Sequence, residues 1–242
     1  MAPKWQSAAT SSSAPLRAAP KCLYPGDDRC CSPTTDVRSF IYRDGALDPE
    51  GARRLTAEAL KSCEDGELYL QYVATESFGF DDGRLKTADY STDAGFGLRG
   101  VSGEMTGFAH ANDISERAIR RAAETLQLLD PAKQAMTPPP QRTNRHLYTD
   151  ANPLDLVPFA QKVELMAKID AAARARDPRV VQVSAMLAGS WSVVEIVRPD
   201  GFVATDVRPL VRLNVSIIME ENGRRETGYF GLGGRYLYDS LF

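Results

Sequence analysis

Histidine is almost missing from this 242-residue chain: there are two, His110 and His146. They are far apart, and no HExxH, HExxxH or nucleophile-elbow pattern occurs, so no zinc-peptidase helix or hydrolase serine is written here. Cysteine is scarce as well. Of four, Cys22, Cys30 and Cys31 crowd the start and none follows Cys63. A disulfide framework would spread cysteines through the fold, so a secreted scaffold is excluded. Cys30-Cys31 lacks a CxxC spacing and a nearby histidine, and reads as reduced thiols rather than a metal or redox pair. There is no excess of basic charge: 29 Lys and Arg stand against 32 Asp and Glu, a net charge of −3. A broadly basic nucleic-acid domain is therefore not expected. No apolar run approaches the roughly 18 residues needed to cross a bilayer as a helix.

What remains is ordinary globular material, 43% apolar and 25% charged, enough for one large domain or two small ones. Residues 1–36 look unlike the rest. They are rich in Ala, Ser and Pro, and no acid precedes Asp27. The segment lacks the apolar core of a secretory signal. A basic, Ser-rich and acid-poor stretch suits a transit peptide, a disordered leader or translation from too early a start. The absence of an amphipathic stripe favours the last two. The expectation is a disordered leader over 1–36 and a folded domain over 37–242.

Within that domain, Asp48 before Pro49 is a helix start, and Leu55, Ala59 and Leu60 supply its apolar stripe. Leu68, Leu70 and Tyr72 alternate as a strand. Leu85 to Ser91, Gly95 to Val101 and Met105 to His110 read as three more, with Asp82-Gly83 as a hairpin turn. Asp113 with Glu116 resembles a capping box, and Ile119, Ala122 and Leu126 follow at helical spacing. Pro131, Pro138, Pro139, Pro140 and Pro153 break regular structure over about 131–153, a surface crossing. A third helix is expected from about Leu156 to Arg176. About five strands then follow, with turns expected at Gly189-Ser190, Pro199-Asp200-Gly201 and Asn222-Gly223. The cleanest of them, Leu213, Val215, Ile217 and Met219 on one face, is expected at the centre of the core. Strands joined by tight turns are antiparallel. The fold class is α+β, a two-layer arrangement of antiparallel sheet with about three helices.

Gly95-Phe96-Gly97-Leu98-Arg99-Gly100 matches GxGxxG, but Val101-Ser102-Gly103 is no helix opening, so strand glycines are the better reading. Gly231-Leu232-Gly233-Gly234 could cradle an anion, and reads better as a flexible exit from the sheet. Asp81-Asp82 and Glu220-Glu221 fall at turns, where carboxylates are normally solvated. His110 and His146 read as structural or solvated. No complete catalytic constellation emerges, so no catalytic, cofactor-binding or metal residue is assigned.

Three long segments nevertheless carry a resemblance. DDGRLKTADYSTDAGFGLRGVSGEMTGFAHANDIS (Asp81 to Ser115), DPRVVQVSAMLAGSW (Asp177 to Trp191) and DGFVATDVRPLVRLNVSIIMEENGRRETGY (Asp200 to Tyr229) resemble, in order, the N-terminal domain of the TldD/PmbA family of metallopeptidases. The resemblance implies a cytoplasmic zinc protease of small or unfolded peptides, a hydrolase that works paired with a PmbA-type subunit. It places the zinc motif, HExxxH with a distant Cys, in the part of family members that follows the glycine-rich stretch. That motif is absent here, so no metal or catalytic residue carries over. The reading implied is an N-terminal scaffold and substrate-tunnel half, inactive alone. The alternative is a non-enzymatic interaction module left after loss of the catalytic half. Members have also been described as modulators of DNA gyrase, but the charge balance does not suit direct DNA binding.

Overall fold

The computed structural model describes residues 35–126 and 148–241. Residues 1–34 of the expected leader, His146 and most of the proline-rich crossing lie outside the described residues, while Asp36, within the expected leader, caps α1. The elements run α1 (Val37–Ile41), α2 (Pro49–Ala59), β1 (Asp65–Asp81), β2 (Arg84–Ser102), β3 (Met105–Ala111), α3 (Glu116–Leu126), α4 (Pro153–Leu156), α5 (Phe159–Arg176), β4 (Val180–Val197), β5 (Val203–Glu221) and β6 (Arg224–Gly234), then a 3-10 turn (Tyr238–Leu241). The six strands make one sheet in the order β3-β2-β1-β4-β5-β6, antiparallel throughout. This is the α+β arrangement that the turn chemistry implied. The three expected helices correspond to α2, α3 and α5, and α1 and α4 add one short turn each.

Local chemistry fixes the helix starts. The Asp48 carboxylate accepts from Gly51 N at 2.6 Å, with Pro49 in the first turn. In α3 the cap is Ser115, whose hydroxyl accepts from Ala118 N at 3.2 Å. Asp113 instead accepts from the Ser115 hydroxyl at 2.9 Å, so the capping residue lies two positions later than the capping-box pattern suggested. The hairpin turns behave as their sequences require. Asp82 and Gly83 (φ 46° and 73°), and Asn222 and Gly223 (φ 53° and 78°), both take positive φ, the type I′ geometry that matches strand twist.

The strands are longer and fewer than the sequence suggested. Leu85–Ser91 and Gly95–Val101 are one strand, β2, paired with β1 from Arg84 to Val101 with one irregularity at Gly79/Phe80. Gly189-Ser190 is not a turn but the middle of β4. A Cβ at Gly189 would come within 2.7 Å of Leu154 Cδ2 and closer still to the Tyr238 hydroxyl. The glycine is there for close packing, not chain reversal. Pro209 sits inside β5 opposite Trp191, beyond Val211, where pairing with β6 stops. A missing N–H is tolerated at such an open edge.

All described helices pack on one face of the sheet. Phe40 of α1 meets Tyr72 and Trp191 with ring centroids 5.5 and 4.8 Å away. Lys162 of α5 reaches Glu76, and Phe159 meets Phe78 at 5.6 Å. Burial in β1 alternates strictly through Leu68, Leu70, Tyr72, Ala74, Glu76, Phe78 and Phe80. In β4 the same face carries Val183, Ala185, Leu187, Trp191 and Val193. β1 and β4 are thus the centre of the core. In β5, Leu213 is buried but Val215, Ile217 and Met219 are only half-buried. Across from them β6 offers Gly228 opposite Ile217 and the exposed Phe230 opposite Val215, so this strand is not central.

Candidate functional site

Because helices cover one face, the alternate residues of every strand present the other. On β1 these are Tyr69, Gln71, Val73, Thr75, Ser77 and Gly79, and on β4 Ser184, Met186, Ala188, Ser190 and Ser192. Most are small or hydroxylated, although Val194 further along β4 is fully buried. Two grooves run across this bare face, and their exposed surface is mostly apolar.

The first groove, about 330 Å³, lies toward the β1–β2 and β5–β6 hairpins and includes Ser77, Thr87, Ser184, Met186, Asn214 and Tyr229. One wall is fixed by Asp81, which accepts from the Ser184 hydroxyl at 2.7 Å and the Gln182 amide at 3.1 Å. Those bonds hold the Asp81 carboxyl below its usual range. On the opposite wall the Tyr229 hydroxyl donates to Asn214 Oδ1 at 2.7 Å, and Arg212 donates to the same oxygen at 2.9 Å. Asp82 is tied to Arg174, which also holds Asp170 at 3.2 Å. Glu220 pairs with Arg225 at 2.7 Å and Glu221 with Arg179 at 3.3 Å. The four turn carboxylates are therefore ion-paired or hydrogen-bonded and serve the architecture.

The second groove, about 230 Å³, is floored by Gly95 and Gly97, the first two glycines of GxGxxG. They lie in β2, with Gly97 opposite His110 of β3. A Cβ at Gly97 would press to 3.2 Å from the Phe108 ring, and one at Gly95 to 2.7 Å from Ala111 O. The glycines admit the edge strand, and no helix N-terminus follows them to receive a pyrophosphate. His110 stacks on Phe108, with centroids 5.7 Å apart, beside Gln71 and Asp93. Gly231, Gly233 and Gly234 are likewise inside β6, not an exit from the sheet.

On the covered face the polar groups lock elements together. The Lys162 ammonium donates to Glu76 at 2.6 Å and to Leu154 O at 2.8 Å, with the Tyr238 ring 4.8 Å away. Burial, reinforced by Glu76, pushes the Tyr238 phenol well above its usual range. Tyr42 donates to buried Glu195, and burial followed by that bond raises its phenol too. Neither group was flagged by sequence spacing. The partners lie 86 and 153 positions apart, and only the fold brings them together. Cys63 is buried beside Gly100 and Leu60, and burial raises its thiol, which makes it inert.

Among the described residues, no three of His, Cys, Asp and Glu come together as a metal cluster would require. His110 and Cys63 lie on opposite faces of the sheet. The described residues do not fit a zinc centre, and no catalytic step through a metal is derived from them.

The fold is shared by solved structures. A candidate modulator of DNA gyrase from Bacteroides thetaiotaomicron superposes with a TM-score of 0.61 at 17% identity, over 78% of this chain and 45% of that one. TldE from Thermococcus kodakarensis gives 0.58 at 15% identity, over 76% of this chain and 43% of that one. Sequence comparison goes further. Residues 66–129 match the PmbA/TldA metallopeptidase domain 1, and residues 152–242 match the central domain of the same family. The metalloprotease TldD homologue of Haemophilus influenzae is 39% identical over 186 residues, 75% of this chain and 39% of its own length. That of Buchnera aphidicola (subsp. Schizaphis graminum) is 40% identical over 175 residues, 72% of this chain and 36% of its own length. The chain thus spans well under half the length of these curated relatives. It belongs to the PmbA/TldD metallopeptidase family and corresponds to the N-terminal part of its members.

Proposed function

We propose that this chain is the N-terminal scaffold of a TldD-type zinc metallopeptidase, the half that lines the path of small or unfolded peptides, and that it is inactive by itself. The observation that carries this reading is the division of labour across the sheet. One face is sealed by helices, and the other is open, with two shallow grooves whose exposed surface is mostly apolar and whose walls carry hydroxyl, amide and phenol groups. An extended peptide laid there meets donors and acceptors suited to its own backbone, and the strand edges offer main-chain pairing besides. Zinc and the residues that activate water for peptide hydrolysis belong, on this reading, to the part of the enzyme that these residues do not supply. A PmbA-type subunit is the expected partner, and the cytoplasm the expected compartment. No described helix is long and apolar enough to cross a membrane.

The test is a peptide-cleavage assay on the purified chain, with and without added zinc, alongside size-exclusion chromatography with a PmbA-type protein. No cleavage by the chain alone and co-elution with that subunit are expected. Zinc-dependent cleavage by the chain alone would overturn the scaffold reading. Failure to associate would favour an independent interaction module.

A further inference from the structure

The second groove is a trench along β2, with walls from β1, β3 and the residue after β3. Its floor is Gly97 and Gly95. Tyr69 and Gln71 of β1 stand on one side, paired with Gly97 and Gly95 in the ladder. His110, opposite Gly97 from β3, and Asn112 stand on the other. Phe108 leans in, with its ring 3.2 Å from where a Gly97 Cβ would lie. The two ends differ in charge. At one, the Arg99 guanidinium is neutralised by Glu67 at 2.7 Å and Asp65 at 3.1 Å. At the other stands Asp93, exposed, with one oxygen accepting from Ala94 N at 2.9 Å. Among the described residues no cation pairs with it. Asp89, on the same face of β2, is also exposed and without an ion pair among them. Gln71 gives its amide N–H to the Ser192 hydroxyl at 2.8 Å, which leaves its carbonyl oxygen to accept from a ligand.

We propose that this trench is a subsite for a lysine or arginine side chain of the bound peptide, with Asp93 as the charge that selects it. The assignment rests on the bare face being the peptide's path, and it names the peptides that path favours. A long cationic side chain has an apolar stem and a charged head. Laid over the two glycines, the stem meets Tyr69 and Phe108, whose ring faces also attract a cation. Asp93 lies about 6.6 Å along the strand from Gly95, within reach of an extended lysine or arginine. There the head meets the free carboxylate oxygen and the Gln71 carbonyl, both acceptors. Arginine gains more than lysine, because its planar head also stacks on the rings. A neutral side chain of the same length would make the stem contacts and leave Asp93 unpaired. A carboxylate would be repelled by Asp93 and Asp89. The trench is shallow, so the ion pair stays in contact with water and the preference is modest rather than absolute.

The test uses capped peptides of one length, with Arg, Gln or Glu at the central position and otherwise only Ala and Ser. Each is titrated into the chain at low salt while NMR follows the His110 ring in this trench and the Met186 methyl in the other groove. The Arg peptide should shift His110 and bind about three- to tenfold tighter than the Gln peptide, and the Glu peptide should bind weakest. Added salt should narrow the difference. Asp93→Asn keeps an oxygen for Ala94 N, should leave the unfolding midpoint in place, and should remove the preference for Arg. Phe108→Leu, which truncates an exposed ring, should narrow that preference without removing it. Equal affinities for the Arg and Gln peptides would overturn the subsite and leave the bare face as a peptide path. So would a preference that survives Asp93→Asn, or an Arg peptide that shifts Met186 and leaves His110 in place. Argininamide alone binding as tightly as the Arg peptide would make the trench a small-cation site and overturn its assignment to peptides. No binding by any peptide would remove the subsite and the peptide path together.

Discussion

Leu187 and Met186 are neighbours in β4 and live in different environments. Leu187 is fully buried under the helices, and Met186 is 48% exposed in a groove of the bare face. The same alternation runs through β1, where Leu70 is sealed and Gln71 reaches across the open face to the Ser192 hydroxyl at 2.8 Å. The covered face is apolar, with a few charges locked by partners from distant elements. The bare face carries mostly small and hydroxylated side chains around two shallow grooves. The comparison teaches that one set of strands meets two demands, with stability assigned to one side chain and recognition to the next.

The largest effect should come from putting the same charge on each face. Leu187→Asp buries a carboxylate without a partner, costs at least about 4 kcal/mol, and should leave the chain insoluble or unfolded. Met186→Asp should stay within about 0.5 kcal/mol of the parent in urea unfolding. Equal effects would dissolve the distinction between faces. Next comes the buried pair on the covered face, with side chains 3% and 9% exposed. Glu76→Gln strands the Lys162 ammonium and should cost about 3–5 kcal/mol. Glu76→Leu with Lys162→Met should recover most of that loss. A double variant as unstable as the single one would show that the pair does more than satisfy itself.

Gly189→Ala sharpens the same point at one atom. The new Cβ would push into Leu154 and Tyr238 and should cost about 1–3 kcal/mol by overpacking. A turn glycine would have tolerated a Cβ in open space, as Gly83 would were its φ not positive. The smallest effect is in acid. Hydrogen bonds from the Arg179 side chain and backbone lower Asp177 from 3.8 to about 2. A lowered folded-state pKa contributes stability that is full above the unfolded value and is lost as pH falls through the folded one. Asp177→Asn should therefore flatten the decline in stability between about pH 4 and pH 2. Unfolding midpoints across that window check it, and an unchanged slope would remove this ion pair from the account.

Turn chemistry and alternation were legible in the sequence. Asp82-Gly83 and Asn222-Gly223 are hairpin turns because both central residues must take positive φ, and Asp48-Pro49 starts a helix because cap and ring geometry agree. The exception was glycine inside strands. Gly95 and Gly97 read correctly as strand glycines because no helix opening follows them, whereas at Gly189 and Gly231 the local signal of a break is the same as that of a close approach by a hydroxyl. The difference lies in partners many residues away. The candidate site was hidden for a similar reason. A bare face in which Ser, Thr, Asn and Gly are mixed with a few larger side chains has no motif, and its grooves exist only because the six strands lie side by side. The buried Lys162–Glu76 and Tyr42–Glu195 contacts cannot be read from spacing at all.

The central claim is that recognition belongs to the bare face and stability to the covered one. Methyl NMR during titration with an unfolded peptide tests it directly. Methyl signals of Thr75, Thr87 and Met186 should move together and saturate, while those of Leu68, Leu187 and Val193 stay in place and the peptide remains uncleaved. A saturating peptide that leaves Thr75, Thr87 and Met186 unmoved, or that shifts the covered-face methyls first, would contradict the account.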